Sequence, residues 1–172
     1  MSLRNSVKRP ELKWEVMDVL NMRFASNYFD LIIDKSTIDA LLCGESSFMN
    51  TALMMRECQR VLKPDAAYLC VSYGTPENRV LHYKRGHLKF SVQTFQVAPS
   101  TPLKEGQSIH YVYVCRKIEG ADDVAAEKWS DVEAQIRKEE QAAEEDLMGN
   151  SSDEENDEDR ELKEGEDIIK KA

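Results

Sequence analysis

Two short stretches of this chain run from apolar residues straight into a carboxylate. WEVMD, residues 14–18, ends in Asp18; FDLIID, residues 29–34, ends in Asp34, and Lys35, Ser36, Thr37 and Asp39 come directly after it. In open α/β sheets, ligands bind at the carboxyl ends of the strands, where such groups can accept hydrogen bonds from hydroxyls or amines. The plainer reading of the second stretch is a strand followed by a helix N-terminus, capped by Ser36 or Thr37 with Asp39 in the first turn. The residues by themselves support both. For Asp18 alone, a strand-terminating turn is the simpler reading. Tyr73 ends a third apolar stretch, AAYLCVSY, and its ring would attract a cation such as a lysine ammonium. As a residue type it is equally the aromatic end of a buried strand. The basic run HYKRGHLK, residues 82–89, reads best as a solvated helix face rather than a substrate-facing patch.

Those residues need elements to hold them. Residues 14–17 read as a short strand and residues 28–33 as a second, whose continuous Leu31, Ile32 and Ile33 suit burial on both faces of a parallel sheet. Met54, Met55, Cys58, Val61 and Leu62 recur at helical spacing within residues 48–62, and the adjoining Pro64 ends that helix. Residues 66–73 are the third strand, and GTPENR turns into a short helix near residues 77–84. KFSVQTFQV and IHYVYVC alternate apolar and polar residues and predict an antiparallel pair. The pattern is an α/β sheet with an antiparallel edge.

The net charge of −9 is unevenly distributed. Residues 1–119 hold 16 Lys and Arg against 12 Asp and Glu, a net of +4; residues 120–172 hold 7 against 20, a net of −13. Residues 122–147 carry Trp129, Val132, Ile136, Ala143 and Leu147 along one stripe, an amphipathic helix with a narrow seam. Residues 148–172 have almost nothing to bury, and disorder is expected there. The organisation expected is a domain over 1–118, an acidic helical segment over 119–147 and an acidic tail over 148–172. Cys43, Cys58, Cys70 and Cys115 lie far apart and suggest buried thiols in a reducing compartment. The histidines lack ligand spacing, so no metal is assigned. There is no apolar run of membrane-spanning length and no specific nucleic-acid signal, and the location expected is the cytoplasm, with the nucleus as a second compartment.

WEVMDVLNMRFASNYFDLIIDKSTIDALLCGE and, later in the chain, ECQRVLKPDAAYLCVSYGTPENR together resemble the second half of a class I S-adenosylmethionine-dependent methyltransferase. Within that superfamily the chain is most similar to the group that includes the lysine methyltransferases of translation elongation factor 1-alpha. The D-K-[SG]-T-[IL]-D signature and R-V-L-K-P are the specific parts, and the resemblance covers about residues 9–117. One departure stands after R-V-L-K-P, where the family usually has Gly-Gly and this chain has Asp65-Ala66-Ala67. The resemblance implies a Rossmann-like fold with strands in the order three, two, one, four, five, seven, six. It implies that Asp18 accepts a hydrogen bond from the adenine amino group of S-adenosylmethionine, that the Val19 backbone lies beside the ring, and that Asp34 and Lys35 face the methionine portion and the substrate. Tyr73 is the weaker candidate for contact with a substrate lysine. The substrate implied is a protein, such as a translation elongation factor.

The seven glycines form no G-x-G cluster, and none precedes Trp14. The family's first two strands and its Gly-rich loop therefore have no counterpart here. The expectation is a truncated and inactive form of a protein-lysine methyltransferase, with residues 28–33 left as an unpaired apolar edge. The competing expectation is a noncatalytic interaction module whose acidic tail binds basic proteins.

Overall fold

The computed structural model describes residues 9–97, 109–118, 127–143 and 145. The chain divides into two compact units, Met1–Lys128 and Trp129–Ala172. The first contains β1 (Phe29–Lys35), α1 (Thr37–Leu42), α2 (Ser47–Val61), β2 (Leu62–Ser72), α3 (Pro76–Tyr83), β3 (Phe90–Val97) and β4 (His110–Lys117). In the second, residues 129–143 are helical, with an Arg137–Glu133 ion pair one turn apart. The remainder of the helix expected over 122–147, and the acidic tail over 148–172, lie outside the described residues apart from 127, 128 and 145.

The sheet runs β1-β2-β4-β3. β1 and β2 are parallel, with Ile32 opposite Tyr68 and Lys35 opposite Val71. β4 lies antiparallel to β2 and to β3, which confirms the expected hairpin. This order is that of the last four strands of the family's sheet, four, five, seven, six.

α2 forms where the helical periodicity places it. Thr51, Ala52, Met54, Met55, Cys58 and Val61 are its buried residues. Proline disfavours helical geometry in the residue before it, so the helix ends ahead of Lys63-Pro64 and Leu62 is already extended at ψ 136°. Asp65 then takes φ 60°, in the left-handed region that favours glycine. Its carbonyl accepts a hydrogen bond from Arg116 Nη1 at 2.7 Å, so the turn keeps its shape with an aspartate in a glycine's conformation.

One face of the sheet is covered. Tyr68, Cys70, Tyr113 and Cys115 pack there with Ile38 of α1, Met54, Met55 and Cys58 of α2, and Tyr83 of α3. Each large apolar side chain buried in this way contributes about 1.5–3 kcal/mol. The thiols of Cys58, Cys70 and Cys115 are buried as expected, and Cys43 is exposed.

Three expectations change here. Residues 14–17 form no strand, and Val16 is 96 % exposed. A strand requires a neighbour for its backbone groups, and none of the described strands pairs with this segment. β1 is not buried on both faces: Leu31 and Ile33 are exposed, because no element of the first unit among the described residues covers their side of the sheet. The outer edge of β1 also has no strand partner among the described residues, as the unpaired-edge reading requires. Finally, residues 82–89 are not a solvated helix face. His82, Tyr83, Arg85, His87 and Leu88 are all buried where α3 turns into β3, with the His82 ring edge-on to Phe48 at 5.2 Å.

Candidate functional site at the carboxyl rim of β1 and β2

Asp34 lies on the helix-covered face of β1 and is nearly inaccessible, at 5 % exposure. Its carboxylate accepts hydrogen bonds from the Thr37 amide at 2.7 Å, the Ile38 amide at 3.1 Å and the Tyr68 hydroxyl at 2.7 Å. Ser36 occupies the cap position of α1 at φ 65° but makes no side-chain cap bond. Capping by Ser36 or Thr37 is therefore replaced by capping from Asp34, two residues before Ser36. The left-handed turn at Ser36 swings the first amides of α1 back toward the strand end. Asp34 also lines an apolar cavity of about 290 Å³ with Val19, Phe24, Ile33, Met54 and Tyr68.

On the opposite side of the rim, Asp39 anchors a second polar cluster. It accepts hydrogen bonds from the Ser72 hydroxyl, from Arg79 Nη2 at 2.9 Å and Nε at 3.2 Å, and from the Tyr73 amide at 3.3 Å. Partial burial opposes its charge, but the bonds from Ser72, Arg79 and Tyr73 together with the Arg79 charge outweigh it and hold Asp39 below the usual carboxylate range. A Cβ at Gly74 would meet the Arg79 guanidinium, which would have to move, and the Gly74 carbonyl accepts the Tyr113 hydroxyl at 2.6 Å. The turn after β2 is thus fixed at three points.

That turn presents Tyr73, which is half exposed. Lys35 Nζ stands 5.0 Å over the centre of its ring and donates to Ser36 Oγ at 2.7 Å. The ring of His110 lies against Tyr73 at 4.3 Å between centroids. Lys35 is in register with Val71 near the end of β2, and Tyr73 follows two residues later in the turn just beyond that strand. Lys35 is accordingly a partner of Tyr73 and Ser36, while Asp39 takes Arg79.

Asp18 stands apart. It is exposed, and its Oδ1 accepts the Leu20 amide at 2.9 Å, a local turn of the kind aspartate favours. Val19, not Asp18, lines the apolar cavity beside Asp34 and a second one of about 490 Å³ bounded by Lys13, Met17, Met22 and Tyr28. The segment is pinned to α2 farther along, where Arg60 donates to the carbonyls of Phe24 at 2.8 Å and Met22 at 2.9 Å, and Glu57 accepts the Met22 amide. The arginine of R-V-L-K-P is therefore a clasp for the loop before β1.

The structure thus brings Asp34, Lys35 and Tyr73 to one rim and leaves Asp18 in a separate turn. Ser72, Arg79, His110 and Tyr113 belong to the rim and escaped the sequence reading. Arg79 sits in α3, seven residues after Ser72, and only the return of that helix across the strand end joins it to Asp39.

The four described strands and their helices form a Rossmann-like mixed α/β sheet, the fold class expected from the sequence. Residues 2–70 match the family described as a methyltransferase domain. The chain is 35 % identical over 92 residues to EEF1A lysine methyltransferase 4 of Bos taurus, covering 49 % of this chain and 36 % of the relative. It is 32 % identical over 101 residues to the eEF1A lysine and N-terminal methyltransferase of Homo sapiens, covering 56 % of this chain and 14 % of the relative. The chain therefore spans well under half the length of the curated relatives it matches. Among solved structures it is similar in fold to the N-methyltransferase NodS of Bradyrhizobium japonicum, with a TM-score of 0.50, 14 % identity and 67 % of each chain covered. The resemblance to class I methyltransferases of the eEF1A lysine methyltransferase group, over part of their domain, holds.

Proposed function

We propose that the carboxyl rim of β1 and β2 is the acceptor side of an S-adenosylmethionine-dependent protein-lysine methyltransferase site, with eEF1A as the substrate. The observation that carries this reading is the half-exposed Tyr73, whose amide donates to Asp39 and whose neighbour Gly74 accepts the Tyr113 hydroxyl, with a lysine ammonium over its ring. Methyl transfer from a sulfonium to an amine depends on alignment and on a fixed electrostatic setting more than on acid or base strength. A rigid aromatic surface at a sheet edge supplies the alignment and leaves the amine its lone pair once it is deprotonated.

S-Adenosylmethionine would reach from this rim, with Asp34 and Lys35 toward its methionine portion, to the loop before β1, with Val19 and Asp18 toward its adenine. Asp34 fits the polar role only in part, because its oxygens already serve α1 and Tyr68. Asp18 is exposed, and its carboxylate is turned to the Leu20 amide. Residues 1–172 on their own are therefore proposed to hold the cofactor weakly and to be inactive by themselves, while the acceptor side keeps its shape.

Equilibrium binding of eEF1A to the 172-residue chain tests the reading. Tyr73→Leu is expected to weaken the complex, and removal of residues 148–172 to leave it unchanged. Binding that ignores Tyr73 and disappears with the acidic residues would instead identify a noncatalytic module that captures basic proteins.

A further inference from the structure

We infer that Lys35 is an internal competitor for the acceptor site: its ammonium occupies the place on the Tyr73 ring that an incoming lysine must take. This rests on the reading of Tyr73 as an acceptor contact and adds a regulating residue to it.

The sheet register makes the occupancy a built feature. β1 delivers Lys35 beside Val71, and Tyr73 stands two residues later, directly after the end of β2. The Lys35 ammonium lies 5.0 Å from the ring centre and is steadied by Ser36 Oγ at 2.7 Å. The two carboxylates nearest in the chain are both committed, Asp34 to the Thr37 and Ile38 amides and the Tyr68 hydroxyl, Asp39 to Arg79, Ser72 and the Tyr73 amide, so the aromatic face is the attractive surface left for a cation at this point. His110 supports the ring at 4.3 Å, and Tyr73 remains half exposed. The ligand the surface accepts is an alkylammonium, the same chemistry Lys35 already presents.

Exchange is easy for Lys35, whose long stem lets the ammonium leave for water without moving β1. An arriving lysine therefore replaces one cation by another and gains little from the ring itself. Removing the resident charge should tighten alkylammonium binding by about two- to fivefold, the range set by an exposed cation–aromatic contact. Tetrahedral methylated ammonium groups would compete in the same way, because methylation keeps the charge.

The test uses the 172-residue chain and an acetyl-Gly-Lys-Gly amide peptide, monitored by NMR. In the free chain the ε-methylene protons of Lys35 should be shifted upfield by the Tyr73 ring and should return toward the free-lysine position as peptide is added. Lys35→Met should tighten peptide binding about two- to fivefold, and this gain should vanish in the Tyr73→Leu background. An unchanged affinity in Lys35→Met, with binding still lost in Tyr73→Leu, would overturn the competition and leave the acceptor reading standing. Equal tightening with and without Tyr73 would reduce the effect to bulk charge and likewise overturn it. Peptide binding indifferent to Tyr73 would overturn the acceptor reading and the competition together.

Discussion

Asp34 and Asp18 end two similar stretches of sequence, yet one lies in a dense polar framework and the other in an open turn. Asp34 receives two amides and a phenol and is buried; Asp18 receives one amide from two residues along and is exposed. The difference arises in the backbone on the C-terminal side of each residue. Beyond Asp34, the left-handed Ser36 folds α1 back over the strand end, and β2 brings Tyr68 alongside. Beyond Asp18, the chain makes a turn and runs on to the Arg60 clasp without joining the sheet. A carboxylate at the end of an apolar stretch becomes a preorganised group only when neighbouring elements hold it.

Substitutions can break that contrast. Asp34→Ala removes three hydrogen bonds and leaves buried donors unpaired, so a loss of about 3–5 kcal/mol is expected in urea unfolding. Asp18→Ala should change stability by no more than about 0.5 kcal/mol. Similar losses at the two positions would contradict the assignment of their surroundings.

Asp39→Asn tests the second half of the rim. It removes the charge that Arg79 and Ser72 face in a nearly enclosed setting and should lower stability by about 2–3 kcal/mol. The wild-type pH dependence carries the same information. Asp39 is held below its ordinary 3.8, so its contribution is complete above pH 3.8 and is lost as the pH falls through its folded value. Burial and the charges of Arg85 and Arg79 push His82 from 6.5 down to about 3, and its contribution is likewise complete above pH 6.5 and lost over that range as the pH falls. A melting profile should decline from pH 6.5 downward, and Asp39→Asn should flatten its most acidic part. A flat profile from pH 7 to pH 3 would be inconsistent with these surroundings.

A smaller effect of opposite sign is expected at Asp65. Asp65→Gly removes a side chain from a backbone at φ 60° and should raise stability by about 1 kcal/mol, read as an increase in Tm. Destabilisation would show that the aspartate side chain contributes more than the strain it carries.

Much of this architecture was legible because periodicity reports burial. The spacing of Met54, Met55, Cys58 and Val61 located α2, Pro64 located its end, and alternation located the β3–β4 pair. What periodicity could not report is the neighbour. WEVM has the residues of a strand but no described strand beside it, and Leu31 and Ile33 have the residues of a doubly covered strand with one face open. HYKRGHLK reads as solvated because its charges are visible in sequence and the contact of His82 with Phe48 of α2 is not. The candidate site was legible at Asp34, Lys35 and Tyr73, which one sheet edge delivers together. Arg79 and His110 enter only through the return of α3 and the registration of β4, contacts that no local pattern encodes.

In the proposed reading the Tyr73 turn is held by hydrogen bonds, whereas Asp18 stands exposed in a local turn. Titration calorimetry of the 172-residue chain with S-adenosylhomocysteine measures this contrast most directly. Preorganisation is what lets a few polar contacts yield affinity, so the expected result is no saturable heat below millimolar ligand, roughly 4 kcal/mol of binding free energy or less. Micromolar binding that is lost in Asp18→Ala would contradict it, because the open turn at Asp18 would then already be a formed part of a cofactor site.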